Sequence, residues 1–416
     1  MNTAKRFLTQ LTAVTLAICV IFLSSCAPKK IDGEEYPGFV PVEETVTEKK
    51  VEEKEIPVED IVEKGGMTDS EFEELIKIPD PFEETGKFQF CPGAIPEYYA
   101  RQYREKPEIV FVAQQMLTAV YNGASEFSIA PEYELSMDEA WLAEELAEKA
   151  CPLADACSIG SHLNDPLTYS VIYMPKNDIV LDENGDIDDE RSSFTDMDAV
   201  EAKKVIGDFT DFVQSIIDRN ITKEDSDMEK AEKIYEALVK EVAYREKRPF
   251  EDSMYIEFTE EGMEALRGET TLVEDIINDH ATSKNRIPFL YQYILTQLNI
   301  ECMTVTSSGA YVSQGYEKLD KEMGSDGRLV WNVIVIDGIP YNCDMAFDMI
   351  VYEAEKGANK DYEPVMKYFG MSDSTRAQSF VISSRDNLYL YDPNISYEWE
   401  NPPRDMVPEC PKDYQK

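Results

Sequence analysis

A chain of 416 residues with 43% hydrophobic and 11% aromatic content is long enough for a leader and two folded lobes. Its 83 acidic residues against 40 basic ones leave a formal net charge of −43, which excludes nucleic acid and anionic lipid surfaces as partners held by charge. With two histidines and no cysteine pair at metal-ligand spacing, no metal and no cofactor is expected.

Residues 1–25 open with the basic "MNTAKR" and continue in the apolar run "FLTQLTAVTLAICVIFL", marginal for a membrane span and suited to a secretory signal peptide. The run ends in Leu23-Ser24-Ser25-Cys26, which resembles a bacterial lipobox. That resemblance implies a lipid anchor on Cys26, with the membrane as a partner and an extracytoplasmic position at a bacterial cell membrane. Over residues 26–78, Glu, Val, Lys and Pro crowd out aromatics. Such a composition buries too little apolar surface to offset ordering entropy, so a disordered acidic tether is expected.

Residues 79–222 are expected to form an accessory lobe of helices and hairpins. Helical periodicity in the second half of 94–125 stops at Asn122-Gly123, and "MDEAWLAEELAEKA" (137–150) forms a second helix. "LTYSVIYMPKNDIVLDENGDI" alternates apolar and polar residues around "PKND" and "ENGD" turns, the pattern of strands in hairpins. The run "LDENGDIDDERSS" has the carboxylates of a calcium loop. Its sixth position counted from Asp182 is Ile187, however, where an EF-hand needs glycine, so calcium is not expected. An amphipathic helix over 198–222 closes the lobe.

The next segment, 223–378, begins with a helix in "DMEKAEKIYEALVKEVAYREK" (227–247). "TTLVEDIINDHATSKNRIPFLYQYILTQLNIEC" ends in a largely apolar helix, as expected of one buried centrally. The β-rich runs "CMTVTSS", "VWNVIVIDG" and "IPYNCDMAF" follow. Helices first and antiparallel strands afterwards predict an α+β fold. Residues 379–416 remain as a C-terminal tail. Apart from Cys19 in the leader and Cys26, the cysteines are Cys91, Cys151, Cys157, Cys302, Cys343 and Cys410. An even number permits disulfides without dictating connectivity; Cys151 and Cys157, in "ACPLADACS", are expected to pair if the surroundings are oxidising.

The order of four blocks between 227 and about 375 resembles the bacterial transglutaminase-like domain, a relative of the papain fold. "KAEKIYEALVKEVAYR" is similar to the family's first helix, and "FLYQYILTQLNIECMTVTS" to its central helix and the strand that follows. "VWNVIVIDGIPYNCDMAFD" resembles its "HAWN...DG..Y..D.TWD" strands, and "KYFGMSD" its closing "YF..SD". The resemblance implies a central helix packed on an antiparallel sheet. It also implies a triad: a cysteine thiolate at the start of that helix, a histidine on the next strand and an aspartate on the strand after.

Carried over residue by residue, the triad is incomplete. Counting back from "LNIEC" puts the cysteine position at Lys284, with Ser283 and Asn285 beside it, and the histidine of "HAWN" becomes Leu329. The aspartate remains as Asp344, followed by a near-match at Phe347-Asp348. Trp331 and Asn332 are retained and, with Tyr341, are candidates to line a binding cleft. Ser283 and His280 are the substitutes at hand for the lost nucleophile and base, while Cys302 and Cys343 are expected to be packed or disulfide-bonded. An emptied site would strand Asp344 as a buried carboxylate, so Lys284 is expected to reach it across the space of the missing histidine, with Leu329 as a wall. The resemblance therefore implies a cell-envelope lipoprotein whose degenerate, non-catalytic domain is a binding or scaffold module for an envelope peptide, glycan or protein. The alternative is an active acyltransferase, or a cysteine-type peptidase or amidase, with a displaced nucleophile.

Overall fold

The computed structural model describes residues 67–82, 86–162, 165–173, 176–178, 193–195, 197–245, 271–311, 327–382, 388–390 and 407–415. The expected signal peptide, Cys26, nearly all of the tether and the calcium-like run lie outside them.

Several helices begin where the sequence writes a cap. Helix α1 (Asp69–Ile76) starts with a capping box in which Thr68 and Glu71 satisfy each other's backbone N–H groups. It buries Phe72 and Ile76, and Gln114 donates to the Leu75 carbonyl at 2.9 Å, so the end of the expected tether is folded onto the globular part. Helix α2 (Pro107–Tyr121) has proline in its first turn and stops at Asn122, before Gly123 at φ 63°. A short strand β1 (Glu126–Ser128) and helix α3 (Met137–Ala150, capping box Ser136/Glu139) follow. Strands β2 (Cys157–His162) and β3 (Asp165–Tyr173) then make an antiparallel sheet in the order β1-β3-β2. The "PKND" stretch is not simply a turn: β4 (Lys176–Asp178) pairs antiparallel with β5 (Ser193–Thr195).

The Cys151–Cys157 disulfide is not made. All six described cysteines are free; Cys151 precedes a helical turn at Pro152–Asp155, and the Cys157 thiol donates to the Leu153 carbonyl at 3.0 Å.

Helix α4 (Ala199–Asn220) is capped by Asp198, which accepts from the N–H groups of Val200 and Glu201. Helix α5 (Asp227–Glu241) ends six residues before the expected limit. The backbone there is claimed by a parallel pairing of β6 (Ala243–Tyr244) with β7 (Ala281–Thr282), in which the His280 and Thr282 carbonyls accept from Ala243 and Arg245. Between them α6 (Leu272–Asp279) starts at a Thr271/Glu274 capping box. Helix α4 packs against both α5 and α6, so the packing runs unbroken through the expected lobe boundary at residue 222.

Helix α7 (Ile287–Gln297) has all eleven residues buried, as its apolar sequence predicts. It lies between the sheet, touching β8 (Glu301–Tyr311) and β9 (Gly327–Ile336), and the helices α5 and α8 (Met345–Ala358). Strand β9 turns through Asp337-Gly338, both at positive φ, into β10 (Ile339–Cys343), the geometry a two-residue hairpin requires. The run "IPYNCDMAF" is therefore part strand and part helix. Met345, Met349 and Tyr352, at helical spacing, are buried together with Phe347 and Ile350, and helical burial prevails after Asp344.

A four-residue helix α9 (Asp373–Arg376) precedes β11 (Phe380–Ile382) and β12 (Leu388–Leu390), which both pair with β8. The five-stranded sheet has the order β10-β9-β8-β11, with β12 beside β8, and all its pairings are antiparallel. The fold is thus mixed α+β with small antiparallel sheets. Among the described residues no helix is long and apolar enough to cross a membrane.

Candidate functional site

The turn that launches α7 is buried. Thr282, Ser283, Lys284 and Asn285 are each at most 3% exposed, and the Ser283 carbonyl accepts from the N–H groups of Arg286 and Ile287. Arg286 and Arg245 clamp the buried Asp275 from two sides and tie this turn to α6 and β6. His280 is exposed, sits at φ 47° and faces the Phe212 ring at 5.5 Å. No Ser283–His280 dyad forms: the Ser283 hydroxyl has no hydrogen-bond partner.

Asp344 stands between β10 and α8 and is 1% exposed; its N–H donates to the Tyr368 carbonyl at 2.8 Å. Its Oδ2 accepts from Arg376 Nη2 at 3.3 Å, and its Oδ1 has no partner. Burial pushes this carboxyl up to about 7 against the pull of Arg376, and the field of Lys284 is the smallest of the causes. The expected bridge from Lys284 is therefore replaced. The hydrogen-bonded cation is Arg376, whose guanidinium lies 3.6 Å over the Trp331 ring and 4.6 Å from the Phe380 ring centre. Arg376 is 5% exposed and its Nε is unpartnered, so burial pulls its own pKa down while Asp344 pulls it up.

Neighbouring residues of β9 point to opposite faces of the sheet. Asn332 turns to α7 and donates to the Pro288 carbonyl at 2.8 Å and to Thr304 at 3.2 Å. Trp331 turns to Arg376, and its indole N–H donates to Asn342 at 2.9 Å; Asn342 in turn donates to Asp373 at 3.0 Å. Leu329 is two residues along from Trp331, 4% exposed and opposite Ser307 of β8. Trp331, Asn332 and Tyr341 are 2%, 0% and 6% exposed, so none of them lines an open cleft in this conformation. Tyr341 is covered by Tyr414, their ring centres 6.4 Å apart.

A second carboxylate is buried one helical turn further on. Asp348 accepts from the Tyr235 hydroxyl at 2.7 Å and from the N–H groups of Lys367 and Tyr368 at 2.9 and 3.0 Å. Burial pushes it up to about 6 although all three donors favour the ionised form. The thiols of Cys302 and Cys343 are fully buried and burial pushes both up, which keeps them protonated at neutral pH.

Sequence reasoning missed Arg376, Tyr235 and the residues 410–414 that cover this corner. No local pattern marks Arg376: "STRAQS" has neither periodicity nor motif, and only tertiary closure brings it to Asp344. Among the described residues no cluster of His, Cys, Asp and Glu could hold a metal ion. Compared with known proteins, the chain matches no family model, and no curated protein matches it.

Proposed function

We propose that this chain is a cell-envelope lipoprotein in which the region from α5 to α9 is a degenerate, non-catalytic transglutaminase-like domain of papain-like fold. It serves as a binding or scaffold module for an envelope peptide, glycan or protein. Support for the fold assignment comes from a buried helix, α7, lying on an antiparallel β8–β9–β10 sheet with an aspartate directly after β10. The observation that carries the non-catalytic reading is the partner of that aspartate. Asp344 is bonded to a guanidinium stacked on Trp331, while the position of the family histidine is the hydrocarbon of Leu329. A guanidinium stays protonated and cannot act as a general base, so it cannot activate a nucleophile.

Two experiments test this reading. The soluble part, residues 27–416, is incubated with glutamine-donor and amine-acceptor peptides and with peptide amides; no turnover above the buffer rate is expected. Turnover that a thiol alkylator blocks and D344N abolishes would overturn it. For the anchor, the full chain should partition into detergent from membranes, and C26S should release it to the aqueous phase.

A further inference from the structure

The corner that holds Asp344 has the composition of a cation site. One wall is the face of Trp331, a second is Phe380, and the anion is a carboxylate 1% exposed. An aromatic face beside a desolvated carboxylate binds guanidinium well, because the ring quadrupole and the anion attract the same charge. Here the site is filled from within the chain, and the fit is incomplete. Arg376 gives Asp344 one hydrogen bond of 3.3 Å where a side-on guanidinium gives two shorter ones. Asp344 Oδ1 and Arg376 Nε are left buried without partners.

The element that carries Arg376 is held from outside. Helix α9 is only four residues long. Residues 410–414 strap it down: Asp413 accepts from the Ser372 N–H at 2.7 Å and from the Thr375 hydroxyl at 2.8 Å. Cys410 exchanges backbone and side-chain bonds with Asp373 at 2.9 and 3.1 Å. The Tyr414 N–H donates to the Gly370 carbonyl at 2.8 Å, and Tyr414 Cβ lies 2.7 Å from where a Cβ on Gly370 would stand, so only glycine, at φ 70°, fits beneath the strap. A short helix held by a few peripheral hydrogen bonds opens at low cost compared with the sheet beneath it.

We infer that Trp331, Phe380 and Asp344 form a binding site for a guanidinium group, occupied in cis by Arg376, with residues 410–414 as the latch that keeps it occupied. The inference rests on the binding-module reading and gives it a ligand class: an arginine side chain of a peptide, or a free guanidinium compound, competes with Arg376 when the latch opens. The formal charge of −43 concentrates such cations at the surface.

The test is titration of the soluble part, residues 27–416, with acetyl-Gly-Arg-Gly-amide and, separately, with methylguanidinium, followed by calorimetry and by the Trp331 indole N–H resonance. R376A vacates the site and should bind at least about tenfold more tightly than wild type and than R376A/D344N. The peptide binding more tightly than methylguanidinium assigns the ligand to a peptide; equal binding assigns it to the free cation. A folded R376A that binds neither probe more tightly than R376A/D344N overturns the inference. Should R376A fail to fold, D413A decides, since it leaves Trp331, Phe380, Asp344 and Arg376 in place. It should bind more tightly than wild type and shift the Trp331 resonance, with D413N between the two, and binding unchanged from wild type overturns the inference. Cleavage or acyl transfer of the peptide would sink the binding-module reading itself. A folded R376A that turns over neither probe and binds neither more tightly than R376A/D344N sinks only the guanidinium site.

Discussion

At the scale of single residues, two fully buried carboxylates on one corner of the fold contribute most to how stability changes with pH, in the same direction as the burial-raised Glu144 and Glu301. The carboxyls of Asp344 and Asp348 ionise near 7 and near 6 in the folded chain, both above the ordinary value of 3.8. Between pH 4 and 7 the folded state therefore binds more protons than the unfolded one, and stability falls as pH rises through that window. Carboxylates with the opposite shift, such as Glu139 near 2, complete their contribution below about pH 5 and do not mask the effect above it. Urea unfolding at pH 5, 6.5 and 8 should show a loss on the order of 2–4 kcal/mol. D344N, a neutral near-isostere of the protonated carboxyl, should remove the larger share of that slope, so its stability relative to wild type rises from pH 5 to pH 8. A stability that is flat or rising from pH 5 to 8 contradicts the assignment. Tyr235→Phe is the companion change. It deletes one of three donors to Asp348, should cost about 1–3 kcal/mol, and should move that carboxyl's titration further up, read by the carboxyl carbon shift.

At the scale of elements, the turn between β7 and α7 is positioned by a clamp. Asp275 on α6 is 2% exposed and binds Arg245 after β6 and Arg286 at the head of α7. Removing the buried anion takes a charged partner from both cations, of which Arg245 keeps Asp279, so D275A should cost about 3 kcal/mol. It should also increase amide exchange at Ala243 and Arg245, whose N–H groups are held by the β7 pairing. Loss of stability without change at those amides would mean that the clamp does not position the turn. The starts of α3 and α5 were legible because a Ser followed three residues later by Glu satisfies the first backbone donors locally; α1 and α6 carry the same signal, but α1 lies in the segment expected as a tether and α6 is not among the expected helices. The end of α5 and the beginning of α8 were not legible. Both depend on backbone partners supplied by distant segments: His280 and Thr282 for the first, Tyr368 and Met371 around β10 for the second. The same holds for the candidate site. Asp344, Leu329 and Lys284 could be placed from the block order, whereas Arg376 could not, being joined to Asp344 by closure of a segment 32 residues away.

At the scale of the molecule, the parts before and after residue 222 share polar as well as apolar contacts. Gln292 on α7 accepts from the Tyr99 hydroxyl at 3.0 Å and from the Thr304 N–H at 2.8 Å, and donates to the Lys149 carbonyl at 2.8 Å. Gln297 and Cys91 exchange a second set of bonds. Parts joined in this way unfold together, so calorimetry on residues 65–416 should give one transition with equal calorimetric and van't Hoff enthalpies. Two resolved transitions would separate the lobes after all. Gln292→Leu removes a hydrogen bond from three groups at once and should lower stability by about 3 kcal/mol while keeping a single transition.

The sequence alone determined the mixed α+β character and the starts of α3, α4 and α5, and it marked α7 as a buried helix. Capping and hydrophobic periodicity act over a few residues, and an apolar segment needs only to be buried somewhere. Tertiary structure decided which cation meets Asp344, which cysteines stay unpaired and what covers Tyr341. A buried charge or an aromatic face takes its partner from whichever element closes over it, and that closure is a property of the packed chain as a whole.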